Sequence, residues 1–342
     1  MRLEFPLNSA ISLTGRCNFN CIHCLAQGTR QYYGLKTEKI KNIIKELGDN
    51  GCVSLVVTGG EPLIRTDLFE VIDYAIKKGL RCHLNTNGSL ITKDVAKKIR
   101  DRNISHIDVG VYAITNEIFT NFCRASPGLI KRVENGIVNL LNEGINVRIM
   151  SCLTKPTQIE CFEIIRHFSE KGVKFFTLSD IHPVGGARNI FYDLSLSTNE
   201  YPLIIKELGE LSAKLNVEVD AYVPYFGGEE QAFLKNKIIN RSGCPAGVSD
   251  ITIWADGKVT PCAYTYDDRF FMGNVQKNSV KHIWEKGSLL WFEEWFQPKK
   301  ECFGCSYLGV CKGGCPADTL FLTGKLSYKD PRCPFRPEFP GC

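Results

Sequence analysis

From the N-terminus to about residue 220, short apolar runs alternate with segments whose apolar positions recur every three or four residues. Ala10 to Leu13 reads as a strand, and Thr37 to Leu47 as a helix carrying Ile40, Ile43, Ile44 and Leu47 on one face, with Gly48 as its stop. Val53 to Thr58 is a β-branched run followed by a helix from Asp67 to Lys78. Leu80 to Leu84 is the third strand, followed by a helix from Lys93 to Arg102. The alternation continues with Ile107–Tyr112, Leu129–Glu143, Val147–Cys152, Ile159–Lys171, Val173–Ser179 and Tyr201–Leu215. Six strand–helix units in a row imply a parallel sheet with right-handed crossovers. Periodicity does not separate a doubly wound sheet from an incomplete barrel. In either, function belongs at the C-terminal ends of the strands. Past Tyr222–Gly228 the pattern loosens, and from Cys244 onward Pro, Gly, aromatics and Cys dominate, with one helix-like stretch at Val280–Trp295. That last part has little aliphatic periodicity, so its fold is expected to depend on metal.

Composition narrows the classes. With 342 residues the chain has room for about two domains, and 44% hydrophobic with 23% charged residues is ordinary for a globular protein. A net charge of +5, spread along the sequence, does not argue for nucleic acid or a membrane surface. No secretion signal or spanning stretch is evident, so a cytoplasmic protein is expected. Cysteine is the outlier: 16 are present, and a reducing compartment favours metal or redox chemistry over a disulfide framework.

Cys17, Cys21 and Cys24 follow the first strand with the spacing C-x3-C-x2-C. Three thiolates on one short loop suit an iron–sulfur cluster with one iron left open. Positions i, i+4 and i+7 would equally line a helix face, but Gly15, Asn18 and Asn20 favour a loop. Gly59-Gly60-Glu61-Pro62 ends the second strand and Asn85-Thr86-Asn87-Gly88 the third, each also readable as a plain turn. A second array runs Cys244, Cys262, Cys302, Cys305, Cys311, Cys315 and Cys333. A structural zinc ribbon is the other reading of that array.

Together these motifs resemble the radical S-adenosylmethionine (radical SAM) enzymes that carry a C-terminal SPASM domain. The resemblance implies a partial (β/α)6 TIM-type barrel over residues 1–225 and a cysteine-rich, loop-rich SPASM domain over 226–342. It implies a 4Fe-4S cluster on Cys17, Cys21 and Cys24 whose open iron chelates S-adenosylmethionine. Reductive cleavage then yields a 5′-deoxyadenosyl radical that takes hydrogen from substrate. Gly59, Gly60, Glu61 and Pro62 match the motif that binds the SAM amino group, and Asn87 lies in a turn similar to one near the ribose. Arg148 resembles a basic residue on the SAM carboxylate, an exposed arginine being the structural alternative. His182 to Arg188 resembles a glycine-rich segment at the adenine.

In the second array the family pattern assigns one auxiliary 4Fe-4S cluster to Cys302, Cys305, Cys311 and Cys333, and another to Cys244, Cys262 and Cys315. The second lacks a fourth cysteine between its first two ligands, so it is open to substrate or recruits Cys342. Cys152 shares a strand face with Arg148 and is a candidate hydrogen donor, with simple packing as the alternative. The activity expected is hydrogen abstraction from a peptide or protein side chain, giving a crosslink, thioether or dehydrogenation. The alternative is a small-molecule dehydrogenase or epimerase, including cofactor side-chain processing. Expected partners are a peptide substrate with a separate leader-binding protein, and a reductant such as flavodoxin or ferredoxin.

Overall fold

The structure, a computed structural model, describes residues 2–222, 244–287, 292–297, 299–305, 308 and 313–333. Cys311, Cys342 and the expected domain boundary at 225/226 lie outside the described residues.

Seven parallel strands follow one another across a sheet: β1 (Asn8–Ser12), β2 (Ser54–Thr58), β3 (Arg81–Thr86), β4 (His106–Gly110), β5 (Val147–Leu153), β6 (Phe175–Asp180) and β7 (Glu218–Tyr222). Each pairs with the next, in registers such as Ser12 with Thr58 and Asp108 with Arg148. This is the partial barrel expected from the six strand–helix units, with β7 in addition. The alternation in Glu218–Tyr222 is too short to stand out beside the loosening pattern that follows it. A helix at Asn116–Cys123 was also not foreseen from the sequence.

One face of the strands carries the core. Leu55, Val57, Leu84, Ile107, Val109, Ile149, Phe176 and Leu178 are buried beneath the helices, meeting Ile40, Ile43, Ile44 and Leu47 from the first helix. The intervening residues point the other way by the two-residue period of a strand. They include Ser54, Thr58, His83, Asn85, Asp108, Arg148 and Thr177, so the barrel's inner face is polar. Apolar burial on the outer face holds the helices to the sheet, and the inner face is left for chemistry.

The C-terminal part does not stand apart from this sheet. β8 (Asp250–Ile253) pairs in parallel with β1, and β9 (Lys258–Thr260) and β10 (Gly273–Asn274) continue antiparallel beyond it, making ten strands in one sheet. Trp284, buried in the helix Val280–Lys286, donates its indole N–H to the Leu3 carbonyl at 2.9 Å and stacks under Arg2. Ordinary hydrogen bonding and packing therefore organise part of the region whose fold was expected to depend on metal.

The helix Leu129–Asn142 packs against the turn that follows β3. Its Gly136 permits the approach, because a Cβ there would stand 2.3 Å from the Gly88 carbonyl oxygen and 3.2 Å from Ile91 Cβ. Gly136→Ala is expected to destabilise the fold by about 1–3 kcal/mol through overpacking. Chemical denaturation of the unloaded protein measures this as a lowered midpoint with an unchanged slope.

Candidate functional site

Loops from the C-terminal ends of β1, β2, β3 and β6 meet on one edge of the sheet. The β1 loop carries Cys17, Cys21 and Cys24, all partly buried. It is a loop and not a helix face: Asn20 and Ile22 donate their N–H groups to the carbonyls of Cys123 and Phe122, both at 3.0 Å. Such cross-chain pairing is available only to backbone that is not already hydrogen-bonded within a helix.

The β2 loop closes on it through backbone. Gly60 N–H donates to the Thr14 carbonyl at 2.6 Å and Glu61 N–H to the Arg16 carbonyl at 2.8 Å. A Cβ on Gly60 would lie 2.1 Å from the Arg16 oxygen, so only glycine allows this contact. Pro62 opens the short turn that follows.

Glu61 points inward and is fully buried. Its carboxylate accepts from Leu63 N–H at 3.0 Å, from the Thr86 hydroxyl at 2.8 Å and from Asn87 N–H at 2.8 Å. Burial pushes this carboxyl up to about 7, against the opposing pull of those three donors. The side chain thus ties the end of β2 to the end of β3. Asn87 extends the tie, donating from Nδ2 to Asn18 Oδ1 at 2.8 Å and lying 3.7 Å from Cys17 Sγ. The Phe19 N–H approaches the same sulfur at 3.4 Å. From the far side, Gly186 N–H donates to the Cys24 carbonyl at 3.0 Å.

These residues fit an iron–sulfur cluster. Three thiols share one loop, and N–H groups are aimed at a sulfur, as a thiolate requires. His23 lies between them, stacked on Phe122 at 4.5 Å, and its buried Nδ1 finds no partner among the described residues. Burial pushes the Cys17 thiol up to about 11 in the chain alone, a cost that cationic iron removes by binding the thiolate.

Two expected residues are engaged by other parts of the chain. Arg148 lies near the start of β5, where its guanidinium pairs with Asp108 at 2.8 and 2.9 Å, so the structure brings it to a carboxylate of the chain itself. Cys152 is nearly closed to solvent, packed with Phe122, Ile181, Ala187, Phe191 and Leu194, the surroundings of a packing residue.

The second array approaches the same edge. Cys262 follows β9, and Cys315 precedes the helix Pro316–Thr323. Burial raises both thiols, Cys262 to about 12, with the charge of Cys244 adding to it at Cys262 and those of Asp318 and then Cys244 at Cys315. Cys302 and Cys305 belong to the turn after Lys300, and Cys333 follows Arg332. Tyr112 lies beside the first array, its ring 4.2 Å from that of His23, and Tyr264 beside the second, 3.9 Å from the ring of His182. Burial raises both, and Tyr112 also feels Cys21, Cys24 and Cys152, whereas Tyr264 feels Cys262, Cys315 and Cys152.

One joint was not visible in the sequence. Arg332 reaches Asp180 at 2.7 Å, Asp318 at 2.6 Å and Asp330 at 2.8 Å, linking the end of β6 to the helix behind Cys315. No local motif marks these four residues, which are brought together only by tertiary structure.

Replacing Glu61 by Gln puts an NH2 group where only acceptors fit, so at least one buried donor loses its partner. Glu61→Gln is expected to cost about 1–3 kcal/mol, read by chemical denaturation, and to lower the iron retained per chain after anaerobic reconstitution. Unchanged iron content would mean that Glu61 does not shape the cysteine loop.

Comparison with known proteins agrees with this arrangement. Residues 11–168 match the radical SAM superfamily and residues 244–306 the SPASM iron–sulfur cluster-binding domain. The AdoMet-dependent heme synthase of Methanosarcina barkeri is 29% identical over 97% of both chains. The mycofactocin maturase MftC of Mycolicibacterium smegmatis is 24% identical over 97% of this chain and 83% of its own. Among solved structures, Streptococcus suis SuiB bound to S-adenosylmethionine superposes with a TM-score of 0.78 at 17% identity, over 98% of this chain and 78% of that one. Such low identity speaks for the fold alone. With both domains matched in order and a cysteine loop built to hold a cluster at the strand ends, the chain belongs to the radical SAM enzymes with a C-terminal SPASM domain.

Proposed function

We propose that this enzyme oxidises a side chain of an iron porphyrin, removing hydrogen at the first cysteine site and passing an electron to the auxiliary array. The observation that supports the two-site reading is the loop after β6, whose Gly186 N–H donates to the Cys24 carbonyl at 3.0 Å and whose His182 lies within 4.8 Å of Cys315, so that both arrays border one loop. When bound, the cluster and S-adenosylmethionine supply the hydrogen-abstracting radical. The chain's own part is to position both arrays.

The substrate class is supported by relatives named for porphyrin products. Heme synthases match at 26–29% identity over 96–97% of this chain, and the Fe-coproporphyrin III synthase of Methanosarcina barkeri matches at 27% over 94%. Cofactor side-chain processing, the alternative weighed from sequence, is therefore preferred here to peptide modification. A second reading keeps the peptide. It is supported by the maturase MftC, by the subtilosin biosynthesis protein AlbA of Bacillus subtilis, and by the fold shared with SuiB bound to its precursor peptide SuiA.

The test is 5′-deoxyadenosine release by anaerobically reconstituted enzyme given S-adenosylmethionine and dithionite. Fe-coproporphyrin III is expected to stimulate release and to lose mass in the same mixture. Stimulation only by the polypeptide fraction of a host extract would overturn the porphyrin reading in favour of a peptide. A Cys24→Ala protein should release nothing in either case.

A further inference from the structure

The array of Cys244, Cys262 and Cys315 supplies three thiols to what reads as an auxiliary cluster, and a fourth protein ligand is not evident from cysteine spacing. The structure brings a different donor to it from the other half of the chain. His182, on the loop after β6, places a ring nitrogen within 4.8 Å of both Cys315 Sγ and an Asp318 oxygen. Its Nδ1 lies 2.9 Å from each Asp318 oxygen. An ionised carboxylate only accepts, so Nδ1 donates to it, and Nε2 is the nitrogen that remains to bind a metal. Tyr264 flanks the imidazole, with ring centroids 3.9 Å apart.

Asp318 is committed elsewhere. It is fully buried, and besides His182 it accepts from Arg332 at 2.6 Å. A carboxylate that holds one imidazole nitrogen, with the ring beside a metal-binding thiol, is the usual setting of a ligating histidine. The Arg332 joint holds this pair rigidly to Asp180, two residues before His182.

We propose that His182, through Nε2, is the fourth protein ligand of the iron–sulfur cluster held by Cys244, Cys262 and Cys315, with Asp318 as the residue that orients it. The inference rests on the reading of those three cysteines as cluster ligands. A neutral imidazole in place of a thiolate makes the cluster less negative, and so a better electron acceptor, as His-for-Cys exchange does in Rieske centres. It also closes the site, so that substrate lies beside this cluster without binding to it.

The test uses a Cys17→Ala/Cys21→Ala/Cys24→Ala chain, in which only the auxiliary array can hold iron, reconstituted and reduced anaerobically. Pulsed EPR is expected to show a strongly coupled nitrogen that changes from 14N to 15N with labelled histidine. The coupling should vanish in added His182→Ala. It should also vanish in added His182→Cys, which is expected to keep the iron and titrate at a more negative potential. Bound iron without such a coupling, or a coupling that survives His182→Ala, overturns the ligand assignment; the cysteine reading then stands if added Cys262→Ala lowers the iron bound, and falls with the inference if it does not. A spectrum altered by Cys342→Ala and unaffected by His182→Ala gives the position to that thiol and overturns it equally. No bound iron in the triple variant overturns the cysteine reading and the inference with it.

Discussion

The whole site depends on two polypeptide backbones touching at the ends of β1 and β2. Gly60 and Glu61 donate their N–H groups directly to the carbonyls of Thr14 and Arg16. A side chain at residue 60 would force the loops apart, and Cys17 would move with them. From this contact the rest follows in sequence. Glu61 is carried inward, where it can hold the end of β3, and Asn87 is thereby brought to Cys17. Because a parallel sheet delivers every strand end to one edge, the constraint is met by adjacent loops without long excursions.

The buried Glu61 shows how a motif residue can be read correctly for place and incompletely for action. Its sequence context marks it for cofactor binding, yet its carboxylate is occupied by Leu63, Thr86 and Asn87. Three hydrogen bonds offset the cost of burying the carboxyl group, and the result is rigidity in the loop that surrounds the cysteines.

Legibility followed the range of the interactions. The six strand–helix units were readable because each depends on local periodicity and a stop such as Gly48 or Gly172. The cysteine loop was readable because its ligands lie within eight residues of chain. Arg148 was not, since its partner Asp108 lies on the neighbouring strand and pairing in register is a tertiary fact. The same holds for Asp180, Asp318, Asp330 and Arg332, which are scattered over 150 residues and meet only when the sheet and the C-terminal helix dock. β8 was hidden for a further reason: a four-residue strand beside a cysteine-rich stretch has too little alternation to declare itself.

That docking explains why the chain invests buried charge at the boundary between its halves. A hydrophobic joint would hold the helix behind Cys315 to β6 at least as firmly, since buried ion pairs are poor sources of net stability. What charge adds is direction. A guanidinium with three carboxylates around it fixes the rotation of the helix as well as its distance, because its N–H groups accept partners only in their own plane. Cys315 sits at the start of that helix, and the loop of His182 to Gly186 runs from the same joint to the Cys24 carbonyl. Orientation at this joint therefore sets where Cys315 lies relative to the loop that holds Cys24. The three aspartates and one arginine are therefore better understood as setting the geometry between two metal sites than as stabilising the fold.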